Sequence, residues 1–269
     1  MQVIDSILTV ADQFDAIVFD QFGVLHNGTS PYPHAIQALD RLRQTRCQLA
    51  VLSNSGKRAD LNLQRITAMG FEPGTFVQVM TSGEAAWQDL HARQTGLTLF
   101  PITASQEDAH IWAGDLTVTF SPDIAKADAI LLMGLPDHGD HTAAHAALDH
   151  ALAHDLPVLC SNPDRAAPRA DGKTVISPGT PAHAFRDKGG TVTFYGKPHL
   201  PVFDALQRTL NIKNPKKILM VGDSPEHDIA GAHTAGWSSL FISGGLHAGS
   251  SGNLFCDIAP PTYTLDTLK

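Results

Sequence analysis

The chain alternates short apolar runs with stretches whose apolar residues recur at helical spacing. Three of the apolar runs are especially clear, at residues 16–20, 48–54 and 217–223, and a helix-like stretch at 35–44 precedes the second of them. Short, nearly continuous apolar runs are typical of strands buried on both faces of a parallel sheet. Their alternation with helices predicts an α/β fold with a doubly wound parallel sheet.

Each of the three runs ends in polar residues. Asp20, Ser53 and Asp223 stand at or just beyond the carboxyl ends of their predicted strands. In open α/β sheets, the ligand-binding crevice lies outside this edge of the sheet. We therefore expect the three side chains to share one site, although they are far apart in the sequence.

The middle of the chain, residues 94–179, is predicted to form a second domain inserted into the first. It contains predicted elements of its own, namely a strand at 128–133, a helix at 142–154 and a strand at 157–160. Turn-forming residues at 171–172 and 177–179 mark its downstream border. Residues 1–93 and 180–269 then form the core domain.

The charge balance narrows the class of partner. Lys and Arg number 19 and Asp and Glu number 27, which gives a formal net charge of −8, and no run of basic residues occurs. Such a chain lacks the positive patch with which proteins bind nucleic acids or anionic membranes. No apolar run approaches the roughly 20 residues that a membrane-spanning helix needs. With 43% hydrophobic residues in 269, the composition indicates a globular protein whose partner is a small molecule.

The cysteines indicate a reducing compartment. Cys47, Cys160 and Cys256 are odd in number, widely spaced and form no C-x-x-C pair, which argues against a disulfide scaffold and against a thiolate zinc site. Acidic residues near the N-terminus stand where a signal peptide would need a basic start. We expect a cytoplasmic protein.

Asp20 is the first candidate for chemistry, because it ends a strand in the phrase FDQFGVLHNG. Gly23 lets the backbone turn closely past a ligand there. A carboxylate in that place can act as a nucleophile or as a metal ligand. Taken alone, an Asp in this place is more often a residue that ends the strand or caps the next turn.

Ser53, Asn54 and Lys197 are candidates for binding an anion. Ser53 and Asn54 precede a helix-like stretch, so that hydroxyl, amide and backbone N–H groups can converge on a phosphate oxygen. The same two residue types also serve as ordinary helix caps. Lys197 precedes Pro198, which keeps it out of the helical conformation and leaves its ammonium group available to neutralise an anion.

Asp223 and Asp228, in the phrase VGDSPEHDIAGA, form the most specific motif. The first ends a strand, and the second lies in the first turns of a helix that Pro225 can start. Together with Asp20, the two carboxylates make a hard-oxygen site suited to Mg²⁺, whose shell a substrate phosphate completes.

These motifs, in this order, resemble those of the haloacid dehalogenase (HAD) superfamily, and in particular its class IIA branch, which includes pyridoxal phosphatase and phosphatases of sugar and nucleotide phosphates. The resemblance covers nearly the whole chain and implies a Rossmann-like core. The site residues that it implies are the nucleophile Asp20, the phosphate-binding residues Ser53, Asn54 and Lys197, the last also catalytic, and the metal ligands Asp20, Phe22 through its backbone carbonyl, Asp223 and Asp228.

The spacing of the motifs indicates a type 2 cap domain in this family. The segment between Asp20 and the second strand is too short for a domain, whereas the segment between Ser53 and Lys197 is long enough for one. Within it, the phrase SNPD resembles the Asn-Pro-Asp phrase of class IIA caps, which implies that Asn162 and Asp164 face the substrate. The resemblance leaves open a homo-oligomer formed through the cap.

Phe22 departs from the family's pattern. The hydrolases of the family read Asp-x-Asp-Gly at this motif, and the second Asp gives a proton to the leaving group and then takes one from water. This chain has Phe22 in that place, and a phenyl ring transfers no proton. General acid–base help contributes roughly 10²- to 10⁴-fold, or about 3 to 5 kcal/mol of barrier.

Two functions are predicted from these residues. The first is a Mg²⁺-dependent HAD-type phosphatase or phosphotransferase that acts on a small phosphorylated metabolite through an aspartyl-phosphate on Asp20, with reduced or unusual activity. The second is a binding or regulatory protein that keeps the Mg²⁺ and phosphate site without turnover. A further hypothesis is that His26 replaces the missing proton donor.

Overall fold

A computed structural model of the protein describes residues 1–93, 96–105, 107–136, 140–168, 174–245 and 254–269. The chain forms two compact units. The first contains Met1–Ser53, Ala59–Met80 and Lys197–Lys269, and the second contains Asn54–Arg58 and Thr81–Gly196. The second unit is therefore inserted into the first.

The secondary structure of the described residues alternates strands with helices. The strands are β1 (Gln2–Val3), β2 (Ala16–Phe19), β3 (Gln48–Ser53), β4 (Gln78–Thr81), β5 (Leu97–Ile102), β6 (Val118–Phe120), β7 (Ala129–Leu132), β8 (Val158–Cys160), β9 (Ala166–Pro168), β10 (Thr174–Ile176), β11 (Val192–Phe194), β12 (Ile218–Gly222), β13 (Ser238–Ile242) and β14 (Tyr263–Leu265). The α-helices are α1 (Ala35–Leu42), α2 (Ala59–Ala68), α3 (Ser82–Arg93), α4 (Asp108–Ala113), α5 (Thr142–Ala153), α6 (Gly179–Asp187), α7 (Leu200–Leu210) and α8 (Ala230–Thr234). Single 3-10 turns occur at Ile7–Thr9, Ala11–Gln13, Ile124–Lys126 and Pro215–Lys217, and a π-helical turn, Pro225–Ile229, directly precedes α8. None of the helices in the described residues is long and apolar enough to cross a membrane.

The first unit is built on a sheet with the strand order β1-β14-β13-β12-β2-β3-β4 in the described residues. In its middle, β2 pairs in parallel with β12 and β3, and Ile17 lies in register with Leu219 on one side and Leu49 on the other. The residues of β2 are all apolar and have no exposed surface, as expected of a strand covered on both faces. The predicted parallel α/β sheet is confirmed, and the three apolar runs of the sequence are three adjacent strands.

Helix α1 shows why the sequence between these strands is helical. Ala35, Ala38, Leu39 and Leu42 are buried and recur at positions i, i+3, i+4 and i+7. This stripe packs into the hydrophobic core of the first unit. The helix predicted at 35–44 is therefore present, and it ends at Leu42.

The second unit contains its own parallel sheet, with the order β11-β8-β7-β5-β6, and an antiparallel pair of strands, β9 and β10. The strands of the sheet contribute to a separate hydrophobic core that includes Ile130 and Val158. The strand, helix and strand predicted inside the insertion are confirmed as β7, α5 and β8. The predicted turn at 171–172 lies outside the described residues.

The bounds of the second unit differ from the predicted insertion at 94–179. Helix α3 belongs to the second unit because it is bonded to α4, where the indole N–H of Trp112 donates to the carbonyl of Gly83 at 2.8 Å. At the other end, β11 pairs with β8 and extends the unit beyond the predicted border. Gln94, the predicted first residue of the insertion, lies outside the described residues.

Candidate active site

Asp20, Ser53 and Asp223 lie at the carboxyl edge of the sheet in the first unit. Asp20 follows β2, Ser53 ends β3 and Asp223 follows β12, and these strands are parallel neighbours. The backbone N–H of Asp20 donates to the carbonyl of Val221 in β12 at 2.9 Å, so the ladder continues up to the residue itself. The position of the Asp20 backbone is thus fixed by the sheet.

Lys197 joins two carboxylates in the first unit. Its Nζ donates to Oδ1 of Asp20 at 2.6 Å and to Oδ1 of Asp228 at 2.7 Å. The side chain of Asp228 is fully buried, that of Lys197 is 3% exposed and that of Asp20 is 16% exposed. Removal of one partner would leave a buried charge without compensation, which is strongly destabilising. The three side chains therefore hold one another in place.

Mutual charge sets the protonation of these groups. Burial by itself lowers the pKa of Lys197, but the charges and hydrogen bonds of Asp20 and Asp228 outweigh burial and raise that pKa above its usual range. Burial raises the pKa of Asp20, and Lys197 opposes this effect. Lys197 therefore stays protonated and favours the carboxylate form of Asp20, which is the nucleophilic form.

Asp20, Asp223 and Asp228 form a cluster with metal-binding geometry. Each offers one carboxylate oxygen, and the three atoms lie within 4.8 Å of one another. Like charges at such distances repel unless cations lie close to them. Carboxylate oxygens are also the ligands that Mg²⁺ and Ca²⁺ prefer. The donor set therefore fits a hard divalent cation.

The carboxylate of Asp223 occupies space that only glycines leave open. A Cβ on Gly23 would lie 1.8 Å from Oδ2 of Asp223, and a Cβ on Gly245 would lie 2.4 Å from the same atom. Gly23 also has a φ of +89°, which other residues rarely adopt. A Cβ on Gly222 would lie 2.2 Å from Oδ2 of Asp228. The sequence pointed to Gly23 for another reason, the close approach of its backbone to a ligand, and it signalled none of these three contacts.

Asp228 lies in the π-helical turn and not in the regular helix that Pro225 was predicted to start. Ser224 directly precedes the turn, and its backbone N–H donates to Oδ2 of Asp228 at 3.0 Å. The hydroxyl of Ser224 accepts from the backbone N–H of His227 at 3.2 Å. Because Oδ1 of Asp228 accepts from Lys197, both oxygens have a partner. In this arrangement Asp228 holds both Lys197 and the start of the π-helical turn in place.

Asn54, Asn162 and Asp164 lie together in the second unit. Nδ2 of Asn54 donates to Oδ1 of Asp164 at 2.6 Å, and the backbone N–H of Asp164 donates to Oδ1 of Asn162 at 3.0 Å. The structure thus brings an amide that was predicted to bind phosphate to the two residues that were predicted to face the substrate. Ser53 belongs to the first unit.

Phe22 and His26 lie edge to face, with ring centroids 6.5 Å apart. His26 is 1% exposed, and burial, assisted by the charge of Arg65, lowers its pKa to about 4. Its Nδ1 accepts a hydrogen bond from the N–H of Gly28 at 3.0 Å, which leaves the ring proton on Nε2. A neutral imidazole is a very weak acid, so this geometry does not support His26 as a substitute for the missing proton donor.

Gln21, Tyr32 and Asn62 belong to the surroundings of the site but were not among the predicted residues. The side-chain amides of Gln21 and Asn62 pair with each other across a sequence separation of 41 residues. Burial, and to a smaller extent the charge of Asp223, raises the pKa of Tyr32. No local pattern signals such contacts, since each depends on how distant segments pack.

Comparison with known sequences finds HAD-type proteins. A family model described as haloacid dehalogenase-like hydrolase matches residues 17–114, and a second, described as HAD-hydrolase-like, matches residues 194–269. Chronophin of Rattus norvegicus is 26% identical over 244 residues, which make up 88% of this chain and 79% of chronophin.

Comparison with solved structures finds the same fold. A haloacid dehalogenase-like hydrolase from Brucella suis superposes with a TM-score of 0.84 at 26% identity, over 99% of this chain and 100% of the other. A glycerol phosphate phosphatase from Mycobacterium tuberculosis, in complex with magnesium, superposes with a TM-score of 0.76 at 21% identity, over 95% of this chain and 75% of the other. At 21% identity, the similarity to the Mycobacterium tuberculosis phosphatase shows the fold alone.

Proposed function

Because the chain belongs to the class IIA branch of the haloacid dehalogenase superfamily of hydrolases, we propose that it is a Mg²⁺-dependent phosphatase or phosphotransferase acting on a small phosphorylated metabolite. The observation that carries the proposal is the cluster of three carboxylates with Lys197 bonded to two of them. Phosphoryl transfer needs mainly a positioned nucleophile and neutralised charge. A carboxylate nucleophile, an ammonium group and a cation site supply these.

In the proposed reaction, a carboxylate oxygen of Asp20 attacks the phosphorus of the ester. The bond between phosphorus and the leaving oxygen breaks, and an acyl phosphate forms on Asp20. Lys197 neutralises charge on the transferring group, and the hydroxyl of Ser53 donates to one of its oxygens. Water then attacks the phosphorus, so that inorganic phosphate leaves and the carboxylate is restored.

Asp20, Asp223 and the backbone carbonyl of Phe22 would hold Mg²⁺, with Asp228 in support through Lys197. When bound, the ion neutralises negative charge on the phosphoryl oxygens. Support for this metal comes from the acidic cluster and from the magnesium complex of the Mycobacterium tuberculosis neighbour.

Phe22 limits the proposed activity. An alkoxide leaving group must gain a proton, whereas an aryl leaving group departs as a weakly basic phenolate and needs little protonation. We therefore expect activated aryl phosphates to react and alkyl phosphates to react very slowly. The same residue favours the second candidate function, in which the chain binds Mg²⁺ and a phosphorylated ligand for regulation and turns nothing over.

Mg²⁺ and inorganic phosphate together are expected to raise the melting temperature of the wild-type protein. A ligand at about 100 times its Kd stabilises the folded state by about 2.7 kcal/mol, which corresponds to roughly 5 to 10 °C for a protein of this size. The variant Asp223→Asn should lose most of the shift, because it removes a charged ligand without changing shape. Thermal scans monitored by circular dichroism measure this effect.

The matched control for the thermal scans is Asp204→Asn, which changes an exposed carboxylate on α7. This variant should keep the full shift. An unshifted wild-type protein, or a full shift in Asp223→Asn, would contradict the assignment of the site.

We propose that the second unit selects the substrate, through Asn162 and Asp164. Asp164→Asn removes the charge but keeps a carbonyl oxygen that can accept from Asn54. The affinity of this variant for a hydroxylated ester such as glycerol phosphate should fall about tenfold, the effect expected from the loss of one hydrogen bond to a charged group. Its affinity for inorganic phosphate should stay unchanged. Competition titrations give both affinities, and equal changes for the two ligands would speak against the assignment.

A further inference from the structure

The loop that follows Asp20, residues 21–28, folds around the carbonyl oxygen of Gln21. This oxygen accepts from the N–H groups of Val24 at 3.4 Å, Leu25 at 2.8 Å and His26 at 3.1 Å. The N–H of Gly23 donates to the carbonyl of His26 at 3.0 Å. The orientation of the Gln21 peptide therefore determines where the next residues, including the carbonyl of Phe22, are placed.

The side chain of Gln21 is bonded to helix α2. Its Nε2 donates to Oδ1 of Asn62, and Nδ2 of Asn62 donates back to Oε1 of Gln21 at 3.4 Å. Each residue is only 4% exposed. Burial of an amide is costly unless its hydrogen bonds are made, so each of these two side chains requires the other.

Helix α2 makes a second contact with the same loop, one turn further along. Nη2 of Arg65 donates to the carbonyl of Gly28 at 3.4 Å. Residues three apart lie on the same face of a helix, so Asn62 and Arg65 both face the loop. Arg65 is exposed, and exposed charged contacts contribute little. The amide pair is therefore the main polar attachment of the loop to α2 in the described residues.

Apolar contacts anchor a different part of the loop. Val24 is 2% exposed and Leu25 is fully buried, and both belong to the hydrophobic core of the first unit. Apolar packing is not directional, whereas a reciprocal amide pair fixes the distance and orientation of the groups that it joins. In the described residues, the amide pair joins α2 directly to Gln21, the residue between Asp20 and Phe22.

We propose that Gln21 and Asn62 are positioning residues for the reaction: their amide pair holds the Gln21 peptide so that the Asp20 carboxylate and the Phe22 carbonyl keep the spacing that metal and phosphoryl group require. The proposal rests on the proposed function for its catalytic consequence. Its structural consequence, a preformed cation site, can be measured separately.

The test compares four variants of the full chain. Asn62→Leu and Gln21→Leu each leave one buried amide without its partner. The double variant Gln21→Leu/Asn62→Leu replaces both amides by apolar groups of similar size, which can be nearly neutral for stability. The double variant Gln21→Asn/Asn62→Gln exchanges the two amides and keeps the combined length of the pair.

Three quantities are measured: the melting temperature, the affinity for Mg²⁺ by calorimetry, and kcat and KM for p-nitrophenyl phosphate. The single variants should lose about tenfold or more in Mg²⁺ affinity and in kcat, with little change in KM, because the loss of one directional contact is about 1.4 kcal/mol or more. The double leucine variant should regain the melting temperature but not the Mg²⁺ affinity or kcat. The exchanged pair should regain all of them.

Gln207→Leu is the control for a general loss of stability. Gln207 on α7 donates to the carbonyl of Ile212 and accepts from the indole N–H of Trp237. This variant should melt earlier but keep its Mg²⁺ affinity and kcat.

Recovery of Mg²⁺ affinity and kcat in the double leucine variant would overturn the proposal, because it would show that the pair only stabilises the fold. Single variants that lose stability alone would overturn it as well. If the wild-type protein hydrolyses no ester, the proposed function fails, whereas the Mg²⁺ affinities of the five variants still decide the role of the pair.

Discussion

Replacement of Asp20 by Asn is expected to lower phosphate release from p-nitrophenyl phosphate by about 10⁴-fold or more, since loss of a covalent nucleophile leaves only the contribution of binding and charge. Asn has the same shape as Asp but cannot attack phosphorus. The bond from Lys197 to Oδ1, at 2.6 Å in the wild-type protein, can persist to the amide oxygen. The loss should therefore appear in kcat and not in KM. Steady-state phosphate release measures both.

The control for Asp20→Asn is Asp204→Asn, which changes an exposed carboxylate and should retain wild-type turnover. Turnover in Asp20→Asn within tenfold of the wild-type rate would contradict the assignment of Asp20 as the nucleophile.

Replacement of Phe22 by Asp is expected to raise the hydrolysis of an alkyl phosphate by about 10²-fold or more, because a carboxyl group can protonate the leaving alkoxide and later accept a proton from water. The gain for an activated aryl phosphate should be smaller, since its leaving group needs little protonation. A Cβ on Gly28 would lie 3.2 Å from Cε2 of Phe22, so the ring fills the space beside that backbone. The smaller Asp side chain fits where the ring now lies.

Phe22→Asn is the matched control, because it has the size of Asp but no proton to transfer near neutral pH. It should leave the alkyl-phosphate rate at the wild-type level. A binding or regulatory protein would show no Asp20-dependent turnover of either ester and no gain in Phe22→Asp. Fast hydrolysis of alkyl phosphates by the wild-type protein would contradict both functions, because another group would then supply the proton.

The strands and the acidic cluster could be predicted because their signals are local. A run of apolar residues such as β2 has few alternatives to a buried strand, and parallel pairing brings the carboxyl ends of neighbouring strands to one edge. The order of Asp20, Ser53, Lys197 and Asp223 added a family resemblance that the fold supports.

The remaining features depend on packing between distant segments. From the sequence, helix α3 is predicted to be part of the core domain. In the structure it belongs to the second unit, where Gly83 accepts a hydrogen bond from Trp112. Gly245 makes room for Asp223 only in the folded chain. The pairing of Gln21 with Asn62 follows from the docking of α2 on the loop, which neither residue signals in sequence.

The acyl phosphate on Asp20 can be detected directly by acid quenching and borohydride reduction, which converts an aspartyl-phosphate into homoserine. Because Phe22 offers no base to activate water, the acyl phosphate should form from an aryl ester faster than it hydrolyses, and it should accumulate. Peptide mass spectrometry after incubation with Mg²⁺ and p-nitrophenyl phosphate should find homoserine at position 20, and none without the ester. Phosphate release with no reduced residue at position 20, or reduction of Asp223 or Asp228 instead, would contradict covalent transfer through Asp20.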